Sequence, residues 1–180
     1  MKKISIIGLG YVGLPLAIEF SKFFNVIGYD LDSNRIHDLN KGIDKTKECS
    51  SSLLKKSIKN NLVITNNKNL LNNSNYFIIT VPTPIFKNKK PNLNYIKDAT
   101  NLVSKKLNKG GFVIYESTVY PGLIEEICIP LIERKTKFKL NNDFFCGYSP
   151  ERINPGDKEH NLTSIVKIVS ASNKYGLNKI

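Results

Sequence analysis

A glycine-rich turn near the start of the chain, IIGLGYVGLP, constrains the fold more than any other feature. Gly8, Gly10 and Gly13 form the pattern GxGxxG directly after a short apolar run and at the start of a helical pattern. In a strand–turn–helix unit the first glycine makes the tight turn, the second lets the backbone approach a pyrophosphate, and the third lets the helix pack closely on the strand. The free N–H groups at the helix start attract phosphates. The pattern therefore predicts a dinucleotide site.

A second apolar run, NVIGYD, ends in Asp30, 22 residues after Gly8. A carboxylate at this point accepts hydrogen bonds from the adenosine ribose hydroxyls and repels a 2′-phosphate, so we expect NAD rather than NADP as the cofactor. Arg35 lies inside the next helical pattern. Three roles are open to it, because it could attract a phosphate, flank the adenine or pair with Asp30.

Apolar runs of four to seven residues alternate with helical patterns along the chain. This order predicts an α/β, Rossmann-type, doubly wound fold with a mostly parallel sheet, spanning residues 1–180 as one NAD-binding domain. The predicted strands are Ile4–Gly8, Val26–Asp30, Leu62–Thr65, Tyr76–Val81, Gly111–Glu116, Phe144–Tyr148 and Ile165–Ser170. The predicted helices include Val12–Phe24, Tyr95–Leu107 and a third with Pro121 in its first turn, which Pro130 should kink or end.

Composition limits the classes of partner. The chain is 41% hydrophobic, which suffices for one substantial core. We expect a cytoplasmic protein with no membrane partner, because no segment approaches the roughly 18 apolar residues of a membrane span. The formal charge of +12 comes from 24 Lys and only 3 Arg, dispersed without interleaved aromatic residues. Arginine is the residue that most often reads bases, so we expect no nucleic-acid partner, and absence of DNA binding would remove that alternative.

Cysteine and histidine give no sign of a metal or a disulfide framework. Cys49, Cys128 and Cys146 form no CxxC pair, so reduced and incidental thiols are expected. His37 and His160 have no ligand partner at a workable spacing. We therefore predict no metal.

Three distinctive segments follow predicted strands, and in an open parallel sheet such segments share the crevice at the carboxyl ends of the strands. The segments are VPTPI at 81–85, ESTVYPG at 116–122 and YSPERINPGD at 148–157. Each also has a simpler explanation. VPTPI could be only a rigid exit from a strand, although Thr83 could face the cofactor; ESTVYPG could be only a helix entry capped by Ser117 or Thr118; and Glu151 and Arg152 could form only a salt-bridged turn.

The chain resembles the N-terminal domain of the UDP-glucose/GDP-mannose dehydrogenase family over nearly all of its length. The matching segments are GLGYVGLPLA, GYDLDSNRI, VPTPI with the later PNLNYIKDA, VIYESTVYPG, and YSPERINPGDKEHNLTSIVKIVS. The ERINPGD form looks closer to the branch that oxidises UDP-N-acetylhexosamines than to the UDP-glucose enzymes.

The resemblance implies a function in polysaccharide precursor biosynthesis: oxidation of a sugar C6 alcohol to a carboxylate, with two NAD molecules used in succession. It implies two catalytic residues, Glu151 to activate or position water and Thr118 to hold a catalytic water while touching the cofactor. The cofactor-binding residues expected on this basis are Gly8, Gly10, Tyr11, Val12, Gly13, Asp30, Arg35, Thr83, Ser117 and Thr118. The expected contacts with the UDP-sugar are Glu151, Arg152 and Ile153.

In that family the nucleophilic cysteine lies in a C-terminal domain, after a central helix that provides much of the homodimer contact. We expect both parts to lie outside these 180 residues, since none of the three cysteines matches the family position. The chain is thus expected to bind NAD without turnover. A non-catalytic nucleotide-binding module remains an alternative, as does a β-hydroxyacid-type dehydrogenase, although the latter does not predict SPERINPGD. The choice of UDP-sugar stays open.

Overall fold

The computed structural model describes residues 2–151 and 166–180, which form a sheet with strand order 3-2-1-4-5-6-7. Neighbouring strands from β3 to β6 pair in parallel, and β7 is antiparallel to β6. The predicted Rossmann-type fold is confirmed. The order reverses between β1 and β4, which is where such sheets open a crevice for ligands. The strands are β1 (Lys3–Ile7), β2 (Asn25–Tyr29), β3 (Leu62–Thr65), β4 (Tyr76–Ile79), β5 (Gly111–Tyr115), β6 (Phe144–Tyr148) and β7 (Ser170–Ala171).

The central strands are apolar throughout because helices cover both faces of the sheet. Every residue of β4, YFII, and of β5, GFVIY, is buried. Continuous apolar runs of this kind are typical of parallel strands inside an α/β layer. The continuous apolar segments that predicted these strands are therefore explained by burial on both faces of the sheet.

The helices divide between two hydrophobic cores. One core takes its helical residues from α1, α2 and α3, and the other from α4 and α5. The helices are α1 (Gly13–Phe20), α2 (Ser33–Asn40), α3 (Ser51–Asn60), α4 (Asn94–Ser104), α5 (Ile129–Thr136) and α6 (Lys174–Lys179), with a 3₁₀ turn at Lys68–Leu71 and a π-helical turn at Ile124–Cys128. None of the helices in the described residues is both long and apolar enough to span a membrane.

One prediction about secondary structure is wrong in detail, and one of the two outcomes expected at Pro130 is excluded. The strand expected at Ile165–Ser170 is observed only as β7, and it runs antiparallel; Ile165 itself lies outside the described residues. Pro130 does not end its helix, which continues to Thr136. A π-helical turn precedes the proline, with the Ile129 N–H donating to the Ile124 carbonyl. This wider turn lets the helix continue through Pro130, which has no N–H group to donate.

Candidate cofactor and active site

The loops that follow β1, β4, β5 and β6 lie side by side at the carboxyl edge of the sheet. The ladder of backbone hydrogen bonds continues past the strand ends and ties each loop to the neighbouring strand. The bonds run from Thr80 N–H to the Ile7 carbonyl at 2.9 Å, from Glu116 N–H to Ile79 at 2.8 Å, and from Ser149 N–H to Tyr115 at 3.0 Å. The three loops expected to share a crevice therefore begin at one edge.

Glycine stands at each of the three positions of the first turn for a different reason. Gly8 has φ of +99°, in the region that glycine adopts most easily, and its N–H donates to the Tyr29 carbonyl at 2.8 Å. A Cβ on Gly13 would lie 1.8 Å from the Gly8 carbonyl oxygen and 2.5 Å from Thr80 Oγ1. A Cβ on Gly10 would meet no atom of the described residues within 4 Å. Gly13 thus allows close packing, while Gly10 faces open space that a ligand could approach.

Thr80 closes this turn from the next strand. Its buried hydroxyl lies 2.8 Å from the Gly8 carbonyl oxygen and 3.1 Å from that of Ile7, and donates to both as a shared bond. The sequence prediction missed this role. The only available signal was a lone hydroxyl residue near the end of an otherwise apolar strand.

Asp30 follows β2 and is held beside the glycine turn by backbone donors. The Leu9 N–H donates to its Oδ2 at 2.7 Å, and the Asp32 N–H donates to its Oδ1 at 3.0 Å. The carboxylate is therefore oriented before any ligand binds. Its predicted contact with a ribose requires this position next to the turn.

Arg35 pairs with Asp44, not with Asp30. Its Nη1 donates to Asp44 Oδ1 at 2.8 Å, and its Nε and Nη2 donate to the Leu9 carbonyl at 2.9 and 2.8 Å. The arginine side chain is 11% exposed and that of Asp44 only 1%. The largely buried guanidinium of Arg35 thus holds the backbone of the glycine turn through two hydrogen bonds to Leu9. A contact between Arg35 and the adenine stays a prediction.

Asp44 anchors the segment that follows α2. It accepts hydrogen bonds from the Thr46 hydroxyl at 2.7 Å and from the N–H groups of Thr46, Glu48 and Cys49 at 2.9–3.0 Å. Burial on its own would raise the pKa of Asp44, but the bonds from Thr46, Arg35 and the backbone outweigh it, and the pKa is lowered. Sequence reasoning missed this residue, although DKT is a local pattern typical of an Asp-centred turn.

The VPTPI and ESTVYPG loops are joined by two hydroxyl groups. Thr83 donates to the Thr118 carbonyl at 2.6 Å, and buried Ser117 donates to the Val81 carbonyl at 2.7 Å. The Ser117 hydroxyl therefore braces the neighbouring loop and does not act as the helix cap that the simpler account offered. The Thr118 residue is exposed. Contacts of Thr83, Ser117 and Thr118 with a cofactor stay predictions.

Glu151 lies within a cluster of charges at the ends of β5 and β6. Lys167 Nζ is 2.5 Å from Glu116 Oε2 and 3.8 Å from Glu151 Oε2. Burial raises the pKa of Glu116, the charge and hydrogen bond of Lys167 lower it, and the charge of Glu151 raises it further. Arg152, the expected partner of Glu151 in a salt-bridged turn, and Ile153 lie outside the described residues. Sequence reasoning missed Glu116 and Lys167 as partners of Glu151.

The three cysteines are poor nucleophiles where they stand. Burial, with the charges of Asp44 and Glu48 adding to it, raises the pKa of Cys49 to about 12. Burial also raises the pKa of Cys128 and of Cys146. Within residues 2–151 and 166–180, no three potential ligands gather to hold a metal ion.

Together the fold and this edge define a Rossmann-type dinucleotide-binding domain of the dehydrogenase class. Residues 2–176 match the family model described as the NAD binding domain of the UDP-glucose/GDP-mannose dehydrogenase family. The chain therefore belongs to the UDP-glucose/GDP-mannose dehydrogenase family. The predicted resemblance is confirmed, and so is NAD as the cofactor that characterises this domain.

Curated relatives agree with this assignment. The chain is 51% identical over 170 residues to the UDP-N-acetyl-D-glucosamine 6-dehydrogenase of Pseudomonas aeruginosa, covering 94% of this chain and 40% of the relative. It is 36% identical to the UDP-N-acetyl-D-mannosamine dehydrogenase of Pyrococcus horikoshii, covering 86% of this chain and 37% of the relative. A solved structure of the UDP-D-ManNAc dehydrogenase from Pyrococcus horikoshii superposes with a TM-score of 0.89 at 33% identity, covering 98% of this chain and 43% of that one. The chain thus spans about 40% of the length of the curated relatives it matches.

Proposed function

We propose that these residues are the cofactor-binding part of an NAD-dependent UDP-N-acetylhexosamine 6-dehydrogenase. Such an enzyme oxidises the C6 alcohol to a uronic acid in two successive hydride transfers to NAD, as a step in making polysaccharide precursors. The observation that carries the proposal is the shared edge, where the glycine turn, the oriented Asp30 and the loops of Thr118 and Glu151 begin side by side. The names of the relatives support the UDP-N-acetylhexosamine class.

The residues of the glycine turn fit NAD. The open space beside Gly10 suits a pyrophosphate, and Asp30 is fixed next to it for the ribose hydroxyls. Exposed Tyr11 and half-buried Val12 complete the turn. Arg35 directs three nitrogens at Leu9 and Asp44, so it has little capacity left for a 2′-phosphate. These contacts favour NAD over NADP.

Thr118 and Glu151 are the proposed catalytic residues. A carboxylate at the substrate end of the crevice can accept a proton from an attacking water, and an exposed hydroxyl can hold that water in place. Arg152 and Ile153 are proposed as contacts to the UDP-sugar. Bound NAD would supply the hydride acceptor; the chain's own part is to orient water and substrate.

We propose that the 180 residues alone bind NAD without oxidising a UDP-sugar. Oxidation of an aldehyde to an acid by hydride transfer first requires addition of a nucleophile to the carbonyl. In this family a cysteine thiolate has that role, and the thiolate is the reactive form of cysteine. The described thiols have raised pKa values and serve this role poorly. A homodimer is proposed for the full-length family member.

Calorimetric titration of the chain with NAD, NADP and UDP-sugars tests the proposal. NAD should bind more tightly than NADP. Asp30→Asn should lower the affinity for NAD by about 10-fold to about 100-fold. This corresponds to the loss of one charge-assisted hydrogen bond, about 1.5–3 kcal/mol. Asp98→Asn, an equal charge change on the exposed side of α4, should leave the affinity unchanged. A preference for NADP would contradict the role of Asp30, and NADH formation from a UDP-sugar would contradict the proposed inactivity.

A further inference from the structure

We infer that Glu116 and Lys167 are positioning residues for Glu151, with Lys167 bridging the two carboxylates. The inference rests on the proposed function, because it matters only if the Glu151 carboxylate acts on water at the substrate end of the crevice. The three residues come from separate segments. Glu116 follows β5, Glu151 lies in the loop after β6, and Lys167 lies in the segment before β7.

The cluster is largely removed from solvent. The side chains of Glu116, Glu151 and Lys167 are 8%, 12% and 22% exposed. Charges in such surroundings interact more strongly than in water, because little solvent lies between them to screen them. Among the described residues, the cluster therefore brings two carboxylates and the ammonium group of Lys167 close together.

The two distances give Lys167 different roles toward its partners. At 2.5 Å from Glu116 Oε2, Lys167 Nζ donates a charge-assisted hydrogen bond that fixes the ammonium group. At 3.8 Å from Glu151 Oε2 the contact is an ion pair, too long for a hydrogen bond. Glu116 thus anchors the lysine, and the anchored lysine attracts the carboxylate of Glu151 toward one position.

This bridge also couples two loops. Glu116 directly precedes Ser117 and Thr118, whereas Glu151 belongs to the loop after β6. A functional carboxylate must be held within about 0.5 Å of its working position. Tying Glu151 to the residue before the Thr118 loop sets the two proposed catalytic groups relative to each other.

An exposed pair of the same length shows what distinguishes the cluster. Lys45 Nζ lies 2.5 Å from Asp38 Oδ2, but the Lys45 side chain is 72% exposed. Solvent screens such a pair, and many contribute nothing measurable. Lys45→Met is therefore the matched control for Lys167→Met.

The test is NMR of the ligand-free chain labelled with ¹³C in its glutamate side chains, with signals assigned through Glu116→Gln and Glu151→Gln. Lys167→Met should raise the pKa of Glu116 and shift the Glu151 carboxyl signal at pH 7, and Lys167→Arg should restore both. Glu151→Gln should lower the pKa of Glu116. Glu116→Gln should also shift the Glu151 signal, because the lysine loses its anchor. Lys45→Met should change none of these.

An unchanged Glu151 signal in both Lys167→Met and Glu116→Gln would overturn the inference. Glu116→Gln keeps the side-chain shape, so it decides the matter if Lys167→Met does not fold. The outcome is independent of cofactor binding: an unchanged signal in a chain that binds NAD removes only the inference, and a shifted signal in a chain that does not bind NAD removes only the proposed function.

Discussion

Removal of the Arg35 guanidinium tests what holds the glycine turn in place. Arg35→Met keeps most of the side-chain length but leaves Asp44, whose side chain is 1% exposed, without its cation. Breaking a buried ion pair at one partner costs about 3–5 kcal/mol, because a buried charge remains uncompensated. Asp44 keeps its bonds from Thr46 and Cys49, so the lower end of that range, about 3 kcal/mol, is expected.

Urea unfolding followed by circular dichroism measures this loss. Lys45→Met, which breaks an exposed pair with Asp38, should leave the unfolding midpoint unchanged. A loss from Arg35→Met no larger than that from Lys45→Met would refute the reasoning.

Two further predictions concern the glycine turn and the thiols. Gly13→Ala should lower the free energy of unfolding in urea by about 3 kcal/mol or more, because the new Cβ would lie 1.8 Å from the Gly8 carbonyl oxygen. Gly10→Ala should have the stability of the wild type but bind NAD more weakly. Equal stability of the two variants would contradict the packing argument. Mass spectrometry after iodoacetamide treatment at pH 7.5 should find Cys49, Cys128 and Cys146 alkylated far more slowly in the folded chain than in urea, since their pKa values are raised; a folded-state rate equal to that in urea would contradict it.

Local chemistry explains why the glycine turn and Asp30 could be predicted. Gly8 and Gly13 each meet a requirement set by residues within a few positions or by the adjacent strand, such as the positive φ of Gly8. The carboxylate of Asp30 stands at a fixed spacing after the turn, and its contact with Leu9 follows from the pairing of β1 with β2. Short-range patterns of this kind remain visible in sequence.

The charge partners could not be predicted, because they depend on tertiary placement. Lys167 and Glu116 are 51 residues apart, and no spacing rule joins them. Arg35 had three open roles, and the fold gave it a partner in Asp44. The segment before β7 was instead predicted as a strand that is not observed there. IVKIVS has the apolar content of a strand, yet Val166 is 84% exposed and Ile168 is 56% exposed. Apolar content predicts a strand only where a core is available to cover it.

The most direct test of the account is to map NAD binding on the backbone amide NMR signals of the chain. The central claim is that a dinucleotide binds at the carboxyl edge of the sheet. NAD should shift the signals of Gly10, Tyr11, Asp30 and Thr118, with little change at the opposite edge, for example at Asn25 or Gly111. Shifts concentrated at Asn25 and Gly111, with the glycine turn unchanged, would contradict it.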